Sequence, residues 1–297
     1  MPEDIALNVI KVFTLGSLGF ITAFLAVPPL VDIMYKYKLW RKEVRAKALD
    51  GGEVTYFKKF HAEGETQVPR LGGLLIWMPT LILALVFFLL SHFDGYILQK
   101  FNFLSRSQTW LPLFTLVSAS LLGLADDLLQ VLGRGGYIGG GLSLRVRIAV
   151  VALIGLIGGW WFYAKLGVET IHIPGNGDLY IGPLMVLFYV IVMLATYSGG
   201  VIDGLDGLAG GVFGSIFGAF SAIALFNNQI DLAAFCAVIA GTILAFLWFN
   251  IPPARFYLGE TGILGLTATL TVVAFLTDSV LVLPIIGFLL VIESGSG

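Results

Sequence analysis

The sequence is short of charge and of cysteine. Asp, Glu, Lys and Arg make up only 12% of its 297 residues, and Cys236 is its one cysteine. Soluble domains carry about 25% charged residues, so an ordinary soluble enzyme is excluded, and so is an internal disulfide. Hydrophobic residues make up 58% of the chain, and the mean hydropathy is +0.93. The composition therefore predicts an integral membrane protein.

Long uncharged runs predict how the chain crosses the membrane. A membrane helix needs about 20 apolar residues, whereas a barrel strand needs only about 10. Seven runs are candidate helices: 12–31, 71–93, 107–125, 148–164, 179–202, 207–230 and 232–254. Two shorter runs follow, 261–277 and 279–292, and bring the count to nine. We predict an all-α bundle of about nine transmembrane helices that forms a single domain over residues 1–297.

The distribution of Lys and Arg predicts the orientation. Residues 36–70 hold nine of the 17 positive residues, and four more lie in loops on the same side: Arg134, Arg145, Arg147 and Arg255. The N-terminus is therefore predicted outside, and the loops after odd-numbered spans are predicted to be cytosolic.

Acidic residues occur at three predicted cytosolic helix ends. Asp126 and Asp127 end the third span, Asp203 and Asp206 precede the sixth, and Glu260 precedes the eighth. Such a gathering suggests a metal or phosphate site. The ordinary alternative for the first pair is an interfacial helix end, although acids there oppose the helix dipole, a cost that a bound cation could offset.

The segment DGLDG at 203–207 is more specific. The i, i+3 spacing of Asp203 and Asp206 predicts two carboxylates on one helix face, and Gly204 and Gly207 permit close approach of backbone or ligand. Helix capping is the alternative, and it explains one of the two aspartates.

The predicted loop 250–262 combines three kinds of ligand group. Arg255 could pair with phosphate, Phe256 and Tyr257 could stack on a base, and Glu260 could bind a metal ion. The alternative is an ordinary loop with aromatic residues at the membrane interface.

Histidine is scarce, with three residues in the chain. His61 lies in the predicted cytosolic loop before the segment PRLGG at 69–73, where a lone histidine is usually solvated. His92 and His172 are predicted on the outer side and cannot join the acidic residues. The sequence therefore contains no zinc motif.

Four segments together resemble the polyprenyl-phosphate N-acetylhexosamine-1-phosphate transferases, of the glycosyltransferase 4 type. They are the His61 region with 69–73, LADD at 124–127, DGLDGLA at 203–209 and PARFYLG at 253–259. The resemblance runs from His61 to Ser296. It is closest to the branch that transfers phospho-N-acetylmuramoyl-pentapeptide. Three segments resemble that branch: 141–147, 246–250 and 291–294. The segment 69–73 instead resembles the N-acetylglucosamine-1-phosphate branch.

The resemblance implies Mg²⁺-dependent transfer of a phospho-sugar from a UDP-N-acetyl-sugar to undecaprenyl phosphate in the plasma membrane, with release of UMP. A homodimer is a further expectation, and no nucleic acid is involved. The implied catalytic residues are Asp126, Asp127 and Asp203. The implied substrate-binding residues are Asp206, Asn250, Tyr257, Arg147, His61 and Arg255. The implied metal ligands are Glu260, Asp126 and Asp127.

The chain departs from the family pattern at several positions. Glu260 replaces an Asp, Ile263 a Ser, Tyr197 and Gly200 two Asn, and Gln130 a Lys. The family's last cytosolic loop and tenth helix are expected to be missing. A non-catalytic paralogue that binds lipid phosphate is therefore an alternative, besides the N-acetylglucosamine branch. A transporter is disfavoured because the acids lie at helix ends rather than at mid-membrane.

Overall fold

The computed structural model describes residues 2–40, 67–134 and 141–296. The predicted site residue His61 lies outside the described residues. These described residues form α-helices, one 3-10 helix and one short hairpin. The prediction of an all-α integral membrane protein is confirmed.

The helices follow the apolar runs of the sequence. They are α1 (Pro2–Lys36), α2 (Leu74–Leu90), α3 (Tyr96–Phe101), α4 (Trp110–Val131), α5 (Leu144–Ala164), α6 (Leu184–Ser198), α7 (Leu208–Phe226), α8 (Ile230–Asn250), α9 (Gly259–Leu276), α10 (Leu283–Ile286) and α11 (Phe288–Ser296). The strands are β1 (Thr170–Ile173) and β2 (Gly177–Tyr180), and a 3-10 helix, Gly199–Gly204, continues α6.

Seven of the described helices are long and apolar enough to cross a membrane, and α2 is an eighth apolar helix of 17 residues. The last predicted run, 279–292, forms two short helices instead of one span. Pro284 lies in the first turn of α10, and Gly287 separates α10 from α11. The number of spans and their orientation remain predictions.

Helix α9 is the centre of the bundle. Almost all of its residues are buried, and it packs along α4 and against α6 and the 3-10 helix. Its threonines can be buried because their hydroxyls bond to carbonyls one turn earlier, as Thr267 and Thr269 do at 2.7 Å. Glycines bring its first turn close to its neighbours: a Cβ on Gly123 would lie 2.2 Å from the Glu260 carbonyl oxygen.

The prediction that Asp203 and Asp206 share a helix face is wrong. Asp203 lies in the 3-10 helix, which ends at Gly204, and Asp206 lies in the turn before α7. Gly207, with φ of 80°, adopts the left-handed conformation and separates the two helices. No side chain caps α7 at this position, so helix capping by these aspartates is also wrong for α7.

A short antiparallel hairpin, β1–β2, forms between α5 and α6, where the sequence predicts a loop between the fourth and fifth spans. Its strands pair His172 with Asp178, and their side chains meet at 2.8 Å. Gly175 and Gly177 supply the positive φ angles of the turn.

The contact between α1 and α8 depends on glycine. A Cβ on Gly241 would lie 2.0 Å from the carbonyl oxygen of Gly16. Any side chain at position 241 would therefore force the two helix backbones apart. We expect Gly241→Ala to destabilise the protein by about 1–3 kcal/mol through overpacking. Thermal unfolding in detergent measures the effect. Gly218→Ala on α7 is the control, because a Cβ there meets no atom within 4 Å and its unfolding midpoint should not fall.

Candidate active site

The first turn of α9 is capped by carboxylates from two other elements. Asp127, near the end of α4, accepts hydrogen bonds from the backbone N–H groups of Glu260 at 3.0 Å and Thr261 at 2.8 Å, and from the Thr261 hydroxyl at 2.7 Å. Asp203 accepts one from the Gly259 N–H at 3.0 Å. These N–H groups have no partner inside their own helix, and the carboxylates also complement the positive end of the dipole.

Arg147 joins the other member of the first acidic pair to α9. Its guanidinium lies 2.7 Å from Asp126 Oδ2 and also contacts Glu260 Oε1. Asp126 is 2% exposed and accepts further bonds from the Gln130 amide at 3.0 Å and from the Leu142 backbone N–H. The cation and the two anions therefore form one network across α4, α5 and α9.

Gly141 is required for this network. Its φ is +90°, and a Cβ would lie 2.8 Å from Asp126 Oδ1. A side chain at this position would be strained and would crowd Asp126, so glycine allows the Leu142 N–H to reach the carboxylate.

The turn between the 3-10 helix and α7 is tied to the segment after α8. Asp206 accepts a hydrogen bond from the Ala254 N–H at 3.0 Å. Asn250 accepts one from the Gly207 N–H at 3.0 Å and donates one to the Phe256 carbonyl at 2.8 Å. Asn250 is 2% exposed, so both ends of its amide serve to join these segments.

The segment before α2 pairs with the same loop. Tyr257 N–H bonds to Pro69 O at 2.8 Å, and Gly72 N–H bonds to Tyr257 O at 2.9 Å. This brings the Arg70 guanidinium to 5.9 Å from the centre of the Tyr257 ring, within the range of a cation–π contact. Arg70 was not among the predicted site residues, although the segment PRLGG was singled out. The sequence signal that could have indicated Arg70 is a basic residue directly before the glycines at the start of a helix.

The two aromatic residues of the loop have different environments. Phe256 is fully buried and packs on Phe246 and Phe249, so the expectation that it could stack on a base is wrong. Tyr257 is half-buried. Arg255 is exposed, with its guanidinium 5.7 Å from the Phe249 ring centre, outside the Arg147 network.

The structure thus brings most of the predicted site residues to one end of the bundle. Direct contacts or a shared helix turn connect Asp126, Asp127, Asp203, Arg147 and Glu260. A second connected set holds Asp206, Asn250 and Tyr257, and it meets the first at α9. The catalytic, substrate-binding and metal roles of all these residues remain predictions.

Among the described residues, no three carboxylates at this end of the bundle have oxygens within 4.8 Å of one another. The only such group among the described residues is His172, Asp178 and Asp278, which are exposed at the hairpin and at the far end of α9. Mg²⁺ is usually held by one or two carboxylates, with waters and substrate phosphates. The side chain of Glu260 is 21% exposed, so Glu260 fits such a site. Both oxygens of Asp126 and of Asp127 already accept hydrogen bonds from the protein.

We expect Asp127→Ala to lower stability in the absence of any substrate. The change leaves the N–H groups of Glu260 and Thr261 without an acceptor in a buried position, which costs about 1–3 kcal/mol. Thermal unfolding in detergent measures the loss, with Asp94→Ala in an exposed loop as the control. An unfolding midpoint equal to that of the control would contradict the capping role.

Comparison with known proteins agrees with the resemblance in the sequence. The profile of Glycosyl transferase family 4 matches residues 109–278. Proteins named phospho-N-acetylmuramoyl-pentapeptide-transferase from Geobacillus sp. (strain WCH70) and Chloroflexus aurantiacus are 33% and 32% identical over 236 and 237 residues. The matches cover 77% and 76% of this chain, but 67% and 60% of those proteins. One from Thermoanaerobacter sp. (strain X514) is 29% identical over 96% of this chain and 82% of its own. The chain therefore belongs to glycosyl transferase family 4, and it is similar to phospho-N-acetylmuramoyl-pentapeptide transferases.

Proposed function

We propose that this protein transfers phospho-N-acetylmuramoyl-pentapeptide from its UDP-linked donor to undecaprenyl phosphate in cell-wall synthesis. An oxygen of the lipid phosphate would form a new bond to the sugar-linked phosphorus, and the bond from that phosphorus to UMP would break. The observation that carries the proposal is the Asp126–Arg147–Glu260 network at the end of an apolar bundle, in a chain whose relatives carry this name.

An apolar cleft supports a lipid acceptor. It has a volume of about 280 Å³ and lies between α6 and the two C-terminal helices α10 and α11. Its lining is almost entirely apolar, apart from three hydroxyl residues that include Ser198 and Ser294. Ser198 directly precedes the 3-10 helix that carries Asp203. A polyprenyl chain in this cleft could therefore bring its phosphate to the acidic end of the bundle.

The donor has matching groups near the start of α9. The half-buried Tyr257 ring could stack on uracil, and Arg70 beside it adds positive charge. Arg147 would pair with a donor phosphate, for which its planar guanidinium is suited. Asp127 would act by positioning α9 rather than by moving a proton, because three hydrogen bonds already occupy its oxygens.

Glu260 would hold Mg²⁺, while Asp126 holds the Arg147 guanidinium from its other side. The bound ion would neutralise charge on the pyrophosphate oxygens during transfer. We further propose that residues 1–297 act as one domain in the plasma membrane, with this end of the bundle in the cytosol as the charge distribution predicts. A homodimer remains part of the proposal by resemblance.

A second candidate donor is UDP-N-acetylglucosamine. The segment 69–73 favours it, because this segment resembles the N-acetylglucosamine branch and lies against Tyr257 through backbone hydrogen bonds. The reaction type is the same for both donors, so the difference lies in which sugar the site accepts.

UMP release tests the proposal. Purified protein in detergent is supplied with undecaprenyl phosphate, Mg²⁺ and either UDP-N-acetylmuramoyl-pentapeptide or UDP-N-acetylglucosamine. We expect release that requires both lipid and metal, with the muramoyl donor preferred. UMP release with UDP-N-acetylglucosamine alone would assign the protein to the N-acetylglucosamine-1-phosphate branch. No release with either donor would favour a non-catalytic lipid-phosphate-binding protein.

Glu260→Gln is the matching variant. It keeps the size of the side chain but removes the negative charge, so we expect lipid-dependent UMP release to fall about 10- to 100-fold and to need more Mg²⁺. Asp94→Asn, a neutralised acid in an exposed loop, should behave as the unmodified protein. An unchanged Mg²⁺ requirement in Glu260→Gln would exclude Glu260 as the ligand.

A further inference from the structure

We propose that Tyr197 is a positioning residue that keeps one oxygen of Glu260 available to the metal ion. The inference rests on the proposed function, since it assigns a purpose to Glu260. Tyr197 lies on the last turn of α6, half-buried, and its hydroxyl is 3.4 Å from Glu260 Oε2. The Arg147 guanidinium lies near the same hydroxyl.

The two oxygens of Glu260 therefore have different partners. Oε1 contacts the Arg147 guanidinium, and Oε2 faces the Tyr197 hydroxyl. A guanidinium and a carboxylate tend to pair through two parallel hydrogen bonds. By donating to Oε2, the Tyr197 hydroxyl holds this oxygen away from that bidentate arrangement. One neutral hydrogen bond on Oε2 leaves it a lone pair for a cation.

Loss of the hydroxyl would remove the bond that orients Oε2 of Glu260. This oxygen could then turn towards Arg147, which would close onto the whole carboxylate. A cation would then have to displace a charged pair, and its affinity would fall.

A second contact beside this one supports the assignment. Gly200 lies three residues after Tyr197, and Ile263 lies three residues after Glu260. A Cβ on Gly200 would lie 2.4 Å from Ile263 Cγ2. Ile263 therefore occupies the volume that a side chain at 200 would need. The departures from the family pattern at Tyr197, Gly200, Glu260 and Ile263 thus form two touching pairs across one interface.

Tyr189 offers a matched control on the same helix. It is fully buried, and its hydroxyl has no hydrogen-bond partner within the part of the chain that the structure describes. Tyr189→Phe and Tyr197→Phe each remove one hydroxyl from α6. They differ in whether that hydroxyl contacts the Glu260–Arg147 pair.

The test measures metal binding directly. Mn²⁺ stands in for Mg²⁺ and is titrated by electron paramagnetic resonance into each purified protein, first alone and then with UMP present. We expect Tyr197→Phe to weaken Mn²⁺ binding about tenfold, the range typical of residues that orient a metal ligand. Tyr189→Phe should match the unmodified protein. Thermal unfolding without metal should leave the midpoint of Tyr197→Phe near that of the unmodified protein, whereas a general packing defect would lower it.

Two results would overturn the inference, and they are distinguishable. If the unmodified protein and Tyr197→Phe bind Mn²⁺ with equal affinity, Tyr197 has no role in metal binding. The proposed metal site would then remain intact. Absence of Mn²⁺ binding by the unmodified protein under both conditions would remove the metal site and the inference together.

Discussion

The capping of α9 by Asp127 and Asp203 is the interaction on which the rest of the site depends. Helix α9 is almost wholly buried, so water cannot satisfy the free N–H groups of its first turn. Carboxylates from α4 and the 3-10 helix do so instead. This requirement brings three chain segments to one point. It also places Glu260, a residue of that first turn, beside Arg147 and Asp126.

Charge at this point is unevenly balanced. Arg147 carries one positive charge between Asp126 and Glu260, which carry two negative charges, and all three side chains are largely buried. Partly buried charge is costly unless it is compensated. An additional cation would restore the balance, whereas a phosphate group arriving alone would worsen it. The arrangement is consistent with a metal ion that binds together with a phosphorylated substrate.

The sequence predicts the membrane helices well and their junctions poorly. Apolar runs identify the long helices because burial in lipid demands them. They do not reveal that Gly207 adopts a left-handed conformation, which separates Asp203 from Asp206, or that Gly287 divides the last run. That Asp126, Arg147 and Glu260 lie at the same end of the bundle could be predicted from the Lys and Arg distribution and from the family resemblance. The pairs Tyr197–Glu260 and Gly200–Ile263 join residues 63 apart, and only helix packing determines such contacts.

Hydrogen exchange at the first turn of α9 tests the central claim most directly. The N–H groups of Gly259, Glu260 and Thr261 are bonded to carboxylates in the resting protein. Their exchange should therefore be as slow as that of amides in the interior of α9, and it should accelerate at Glu260 and Thr261 in Asp127→Ala. Fast exchange of these amides in the unmodified protein, as in an uncapped and hydrated helix end, would contradict the account.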